Sequence, residues 1–421
     1  MRLRTMETPA SAVDRGQLKT IVTSAANNFP IENATVTISN LDDPNRILEE
    51  VTTDASGQTE DIDVRTPPFE YSQEYDEPRP YAELLLRITA PGYKPLEIRG
   101  TEVLPERLAL QEARLQPDDS GQASQEVDIP DHTLYGMYPP KIAEDEVKSV
   151  TGSGEIVLSR VVIPETIIVH DGVPSNASAP DYYVPYRDYI KNVASSEIYA
   201  TWPESTIVAN ILAIMSFTLN RVYTEWYRNK GYEFTITSST AYDQKWIYGR
   251  NIFEPISSIV DEIFDQYLSR PNVKQPILTQ YCDGRQVTCP NWMTQWGSRA
   301  LGEQGYTPIE ILRYYYGEDM YINTAEQIAG IPASWPRYDL VVGSSGDKVR
   351  QMQEQLLTIS GVYTAIPTIT PSGYYDEATA DAVQVFQSVF GLPQTGVTDF
   401  ATWYKISQIY VGITRIAELN P

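Results

Sequence analysis

The segment 207–222 is apolar around its whole circumference when it is drawn as a helix. Since a surface helix has a single apolar face, a helix that is apolar on all sides must be buried. This segment therefore predicts a domain large enough to enclose it. Thr201, Pro203 and Glu204 just before it have the spacing of a capping box, which predicts that the helix begins at Thr201. Glu197 ends the preceding helical stretch, so we expect its carboxyl group at a helix–helix junction held by this core.

The pattern along the 421 residues predicts a multidomain α+β protein, because single cores stop growing well below this length. Alternating strands and glycine turns predict an N-terminal β-sandwich over 1–117. Residues 118–154 are rich in Asp, Glu, Ser and Gly, which is typical of an exposed acidic linker where proteases cut. Residues 155–340 form the central α+β domain with the buried helix. Helical periodicity predicts a compact three-helix module over 341–421.

Composition excludes several classes of function. The formal charge of −24 argues against nucleic acid and anionic lipid as partners, because both are bound through Lys and Arg. The first residues lack the apolar run of a signal peptide, and no stretch approaches about 18 uncharged apolar residues, so we expect neither general export nor a membrane span. Two His and two Cys are too few and too scattered for a zinc site, and no metal or other cofactor is expected.

Glu197 is the candidate for acid–base chemistry. Its neighbours Ile198, Tyr199 and Trp202 are apolar, and an apolar setting raises the pKa of a carboxylic acid so that it can protonate a glycosidic oxygen near neutral pH. The alternative is an ordinary helix-end carboxylate in a salt bridge, whose ionised form a nearby helix N-terminus would favour.

Hydroxyl, amide and indole side chains further along the chain suit a carbohydrate groove. The candidate substrate-binding residues are Ser239, Thr240, Asp243, Gln244, Gln295 and Trp296. Two alternatives stay open. Trp292 and Trp296, four residues apart, could be one packed helix face, and Asp243 could orient the Thr240 loop instead of contacting substrate.

These motifs, in this order, resemble the stage II sporulation protein D family of peptidoglycan lytic transglycosylases. The resemblance covers most of residues 184–322 and rests on the motifs Ala194-Ser195-Ser196-Glu197-Ile198, Trp202-Pro203-Glu204, Ser239-Thr240 with Asp243-Gln244, Thr294-Gln295-Trp296-Gly297, and Gly305-Tyr306 with Ile311-Leu312. It implies that Glu197 is the catalytic acid. Some family members bind zinc through Cys and His, but no His lies near Cys282 or Cys289 in this chain.

The C-terminal module resembles the type 1 peptidoglycan-binding domain. The pattern includes Gly343, Gly346 and Val349, then Gln353 and Leu356, and continues through Gly373, Tyr375, Thr379, Ala382-Val383, Phe386-Gln387, Gly391-Leu392, Gly396 and Thr402-Trp403. The N-terminal sandwich has the more general marks of the carboxypeptidase-regulatory type.

The order of these units is similar to that of clostridial spore cortex-lytic enzymes. This resemblance implies a zymogen that acts on spore cortex peptidoglycan during germination and is activated when a subtilisin-like germination protease removes the N-terminal prodomain. It also implies a location in the cortex and coat region of the spore, after synthesis in the mother cell. We place the hypothetical cut between Asp119 and Ile163, and we expect a form lacking residues 1 to about 150 to be much more active than the full chain.

Other readings remain at this point. Cys282 and Cys289 could form a small disulfide ring or stay as two thiols. The protein could be a peptidoglycan amidase or other hydrolase, or a non-catalytic wall-binding spore protein.

Overall fold

The computed structural model describes residues 13–118, 124–148 and 158–415. Over these residues the protein is mixed α+β, with several sheets and eight α-helices. The expected α+β class is confirmed. The hypothetical cut lies partly in residues 119–123 and 149–157, which are outside the described residues.

The N-terminal unit consists of two sheets packed face to face. Its strands are β1 (Asp14–Ser24), β2 (Thr35–Asn40), β3 (Asp43–Thr52), β4 (Ile62–Thr66), β5 (Ala82–Thr89), β6 (Leu96–Val103), β7 (Leu108–Leu115) and β8 (Gln125–Asp128). One sheet has the order β3-β2-β5-β6-β8, and the other contains β7-β1-β4. Leu18 and Val22 of β1 and Leu84 and Leu86 of β5 are fully buried, so the core lies between the sheets.

The central domain is built around one buried helix. Its strands are β9 (Val162–Ile163), β10 (Thr166–His170), β11 (Asp181–Pro185), β12 (Ile236–Thr237), β13 (Ile252–Phe253), β14 (Gln266–Ser269), β15 (Tyr281–Cys282), β16 (Met293–Thr294), β17 (Tyr321–Thr324) and β18 (Gln327–Ile328). Its helices are α1 (Tyr186–Glu197), α2 (Glu204–Tyr223), α3 (Glu254–Ile263), α4 (Gln295–Glu303) and α5 (Pro308–Tyr316). Among the described helices, α2 is long and apolar enough to cross a membrane, but 83% of its most apolar window is buried inside the protein.

The start of α2 differs from the prediction. The helix begins at Glu204 with Pro203 as its N-cap, and no side chain caps it. The Thr201 hydroxyl instead donates to the Ser72 hydroxyl of the N-terminal unit at 2.8 Å. The predicted capping box is therefore wrong, because Thr201 lies in a turn closed by the Trp202 N–H and the Tyr199 carbonyl, two residues before the N-cap. A complete capping box does occur at α5, between Thr307 and Glu310.

The N-terminal sandwich and the central domain share a sheet. Strand β13 pairs with β7, so the smaller sheet of the sandwich has the order β13-β7-β1-β4. Arg250 next to this strand forms an ion pair with Glu102 of β6, and both side chains are almost completely buried. Asn251 also pairs with both backbone groups of Glu102. The two units are therefore packed together and not simply tethered by a linker.

Residues 129–148, which we call the strap, also differ from the prediction. The acidic composition predicts an exposed linker, but this segment is packed along the central domain. His132 is completely buried, and Thr133 donates twice to the Ser196 carbonyl at the end of α1. Further along, the Ile142 N–H donates to the Ala241 carbonyl at 2.7 Å. Composition misled the prediction because the strap's charged side chains pair with the domain beneath them.

The C-terminal unit has three helices, as predicted: α6 (Asp347–Ser360), α7 (Glu377–Val389) and α8 (Phe400–Thr414). Asp376 and Asp399 cap α7 and α8 by accepting from the backbone N–H groups of Thr379 and Thr402. Helix α8 contacts α3 of the central domain. At this contact, the buried Asp261 of α3 binds the side chains of Arg187, Lys191 and Lys405.

Candidate active site

Glu197 is the last residue of α1 and is 3% exposed. One carboxylate oxygen accepts from the Lys245 backbone N–H at 2.7 Å, and the other accepts from the Tyr281 hydroxyl at 2.5 Å. The side-chain amide of Gln295 donates to the Glu197 carbonyl at 3.0 Å. Two distant parts of the central domain thus fix this carboxyl group, and a third fixes the backbone of Glu197. The α2 core behind it places it at a helix–helix junction, as the sequence predicted.

The pKa of the Glu197 carboxyl is raised above its usual range. Burial raises it, because the charged form loses its hydration. The Lys141 ammonium, the Lys245 N–H and the Tyr281 hydroxyl act in the opposite direction, because each stabilises the ionised form. A raised pKa increases the protonated fraction near neutral pH, which is what a general acid requires.

Glu197 lines an open pocket whose empty volume, including solvent at its mouth, is about 470 Å³. The central domain contributes Glu197, Thr240, Gln295 and a wall formed by residues 281–287. The opposite wall belongs to the strap, through Thr133, Tyr138, Pro139 and Lys141. The strap therefore narrows the space in front of the candidate acid.

Two of the predicted substrate-binding residues line this pocket with Glu197, namely Thr240 and Gln295. The Thr240 hydroxyl oxygen is buried and has no hydrogen-bond partner within the described part of the chain. An unpaired buried hydroxyl is costly, so a ligand group that displaced the atoms covering it would be stabilised by a hydrogen bond there.

Asp243 and Gln244 are not pocket residues, which corrects the prediction for both. Asp243 is completely buried and binds Arg221, Tyr227 and Thr237 at 2.6–2.9 Å. It holds the loop that carries Thr240, which is the alternative that the sequence left open.

Gln244 is also completely buried, behind Tyr281, and its amide donates to the Tyr281 hydroxyl at 3.2 Å. Ser239 is half-buried and lies outside the pocket. Trp296 is 6% exposed and packs against Trp202 with ring centroids 5.1 Å apart, so it belongs to an aromatic cluster beside the pocket.

The sequence argument did not single out Tyr281 as a functional residue. The phenol links Glu197 to Gln244 and completes a hydrogen-bonded row from the core to the carboxyl group. Its side chain is buried, and the Lys141 ammonium lies 4.6 Å from its ring centroid. No local pattern marks a tyrosine of this kind, because its partners lie far away in the sequence.

We expect Tyr281→Phe to lower the rate of glycan cleavage about tenfold, because it removes a hydrogen bond that positions the carboxyl group. The pKa of Glu197 should also rise, since the phenol stabilises the ionised form. The alkaline limb of the pH–rate profile should therefore move to higher pH. Tyr375→Phe, which removes a buried phenol in the C-terminal unit, is the matched control. A profile unchanged from that of the parent would contradict the positioning role.

Cys282 and Cys289 are joined by a disulfide, which closes the loop that forms one pocket wall. Within residues 13–118, 124–148 and 158–415, no three His, Cys, Asp or Glu side chains cluster in a way that could hold a metal ion.

Comparison with known families identifies one unit of the chain. Residues 345–406 match the model of the putative peptidoglycan-binding domain. This part of the chain is a peptidoglycan-binding domain. It supports a cell-wall-associated protein with peptidoglycan as a partner, and it confirms the resemblance predicted for the C-terminal module.

Comparison with curated proteins gives no match. Among solved structures, the chain is similar to the TIE protein of Bacillus anthracis, with 14% identity over 26% of this chain and 20% of that one and a TM-score of 0.18. It is also similar to 3-chlorocatechol 1,2-dioxygenase from Rhodococcus opacus 1CP, with 13% identity over 26% and 61% of the two chains and a TM-score of 0.17. Catechol 1,2-dioxygenase of Acinetobacter radioresistens gives 12% identity, 27% and 58% coverage and a TM-score of 0.17. The chain spans less than two thirds of each, and no functional conclusion follows from these values.

Proposed function

We propose that this protein is a peptidoglycan lytic transglycosylase that is made as a zymogen and acts on the spore cortex during germination, like the clostridial spore cortex-lytic enzyme SleC that it resembles. The observation that carries the proposal is the buried Glu197 carboxyl group, with its raised pKa, in the lining of a pocket that also contains Thr240 and Gln295. The peptidoglycan-binding domain supports the substrate class.

In the proposed reaction, Glu197 donates its proton to the oxygen that joins C1 of N-acetylmuramic acid to N-acetylglucosamine, and this C1–O bond breaks. The C6 hydroxyl of the same muramic residue then forms a bond to C1, and its proton returns to Glu197. The products are a 1,6-anhydromuramic end and a free hydroxyl on N-acetylglucosamine, and no water is consumed. One carboxyl group is enough because the nucleophile belongs to the substrate, unlike the paired carboxylates of most glycosidases.

Mass spectrometry of digested cortex fragments tests this chemistry. Anhydromuramic ends are expected. Ordinary reducing ends would indicate a glycosidase that uses water, and released stem peptides would indicate an amidase. Either outcome would contradict the proposed reaction.

The strap supports the zymogen part of the proposal, because it forms one wall of the pocket in front of Glu197. We define the released chain as the full chain in which a site-specific protease sequence, placed at residues 150–156, has been cut and the N-terminal fragment removed. Because β13 pairs with β7, the removal uses size-exclusion chromatography in a low concentration of urea, which is then dialysed away. If the strap opens in about 1% of intact molecules, the released chain should digest cortex about a hundredfold faster. The same chain with a scrambled recognition sequence, treated with the same protease, is the control. Equal activities of the intact and released chains would remove the zymogen idea.

A further inference from the structure

The surface of the central domain beneath the strap, which we call the groove, carries several polar groups that bind the strap. The Gln280 side-chain amide donates to the Ile142 carbonyl at 2.7 Å and accepts from the Glu144 N–H at 2.8 Å. The Leu278 N–H donates to the Glu146 carbonyl at 2.9 Å. These contacts hold an extended peptide backbone along the groove.

Two arginines of the central domain bind two carboxylates of the strap. Arg221 donates to both oxygens of Glu144, at 2.6 and 3.0 Å. Arg270 donates to both oxygens of Glu146, at 2.7 and 2.9 Å. Each pair has the bidentate geometry in which a guanidinium group recognises a carboxylate.

The N–H groups that form these bidentate pairs face the strap, although each arginine also has a partner in the central domain. Arg221 uses its Nε for Asp243, and Arg270 uses Nη1 for Asp319. Burial acts to raise the pKa of Glu144, but the hydrogen bonds from Arg221 outweigh it and the pKa lies below its usual range. When the strap leaves, each guanidinium group keeps its carboxylate partner in the central domain but loses the carboxylate of the strap, and the two N–H groups freed on each arginine can bind another carboxylate.

The groove starts at the candidate acid. Lys141 of the strap lines the same pocket as Glu197, and its ammonium group lies over the ring of Tyr281, which binds the Glu197 carboxyl group. Glu144 is three residues further along, a span of at most about 10 Å in extended chain. A ligand that enters both the pocket and the groove would place a sugar at Glu197 and acidic groups at Arg221 and Arg270.

We propose that this groove binds the acidic stem peptide carried by the muramic residue whose glycosidic bond lies at Glu197, that Arg221 and Arg270 receive its carboxylates, and that the strap mimics this peptide. The stem peptide is attached at C3 of the reacting sugar and carries free carboxylates along an amide backbone. The backbone suits the groups of Gln280 and Leu278 that bind the strap backbone, and the carboxylates suit Arg221 and Arg270. The inference rests on the proposed function, because it places the sugar of that peptide at Glu197.

Calorimetric titration with a muramyl dipeptide, N-acetylmuramyl-L-alanyl-D-glutamate, tests the proposal. This probe has no scissile glycosidic bond, so its binding is measured separately from catalysis. The released chain should bind the diacid about tenfold more tightly than the same probe with both carboxylates amidated. The intact chain should not discriminate between them, because the strap occupies the groove.

Arg270→Gln should reduce the discrimination in the released chain to about threefold, because Arg221 still receives one carboxylate. Arg270→Lys should keep more of the discrimination, since a lysine retains the charge but not the bidentate geometry. Arg228→Gln, an exposed arginine of the central domain away from the strap, is the matched control. In the intact chain, Glu144→Gln with Glu146→Gln should weaken the strap and raise the affinity for the diacid.

Equal affinities for diacid and diamide in the released chain would overturn the inference, and so would an Arg270→Gln variant that is folded by circular dichroism and discriminates as strongly as the parent. If the released chain binds neither probe, the intact chain with Glu144→Gln and Glu146→Gln provides the test. Tighter binding of the diacid than of the diamide by this variant would support the inference, and equal binding would overturn it. Anhydromuramic products without discrimination would leave the proposed function standing and remove only the stem-peptide groove, whereas discrimination without anhydromuramic products would contradict the reaction.

Discussion

Glu197→Gln should lower the rate at which the released chain digests cortex by about a thousandfold, because the amide has the shape of the acid but no proton to give. The amide oxygen can still accept from the Lys245 N–H, and the amide NH2 group can donate to the Tyr281 hydroxyl oxygen, so the fold should be retained. The measurement is the initial rate of release of soluble muropeptides, compared with the thermal unfolding midpoint of the same sample.

Glu204→Gln provides the matched control, since Glu204 is exposed seven residues away at the start of α2 and is absent from the pocket. Its rate should equal that of the parent. The parent should also lose activity as pH rises through the raised pKa of Glu197, because only the protonated carboxyl group can act as the acid. A Glu197→Gln rate within tenfold of the parent would mean that another group supplies the proton, and the proposed reaction would fail.

Asp261→Asn should destabilise the protein by about 3 kcal/mol, because it leaves several buried cations without their anion. Asp261 in α3 is 2% exposed and binds Arg187 and Lys191 of α1, at 3.0 and 2.7 Å, and Lys405 of α8, at 3.2 Å. The cluster joins the central domain to the peptidoglycan-binding domain. Urea unfolding of the full chain measures the loss, and Asp381→Asn on the exposed face of α7 is the control.

The same cluster predicts how stability depends on pH. Burial raises the pKa of Asp261, but Lys191, Lys405 and Arg187 outweigh it, so the pKa in the folded protein lies well below the ordinary value of about 3.9. A carboxyl group whose pKa is lower in the folded than in the unfolded protein stabilises the fold fully above its unfolded-state pKa. This stabilisation is lost as pH falls from there towards the folded-state pKa. The parent should therefore lose stability as pH drops below about 4, and Asp261→Asn should flatten this dependence. A variant as stable as the parent at neutral pH would show that the cluster does not hold the two domains together.

Local patterns predicted much of this protein. The all-round apolar segment predicted the buried α2, and the periodicity of residues 349–389 predicted two helices of the peptidoglycan-binding domain. The end of a helix beside that core predicted the place of Glu197. Each of these features depends on residues within a few turns of one another, which is why the sequence alone was sufficient.

Tertiary contacts decided the rest. Asp243 and Gln244 resemble groove residues in sequence, but Arg221 and Tyr281 draw them into the interior. Tyr281 reaches Glu197 across 84 residues of chain. The acidic residues of 129–148 predict an exposed linker, but Glu144 and Glu146 among them bind arginines of the central domain that are more than 70 residues away in the sequence. A polar side chain is compatible with solvent, substrate or a buried partner, and local sequence does not distinguish among them, because the partner that compensates its desolvation is brought near only when the chain folds.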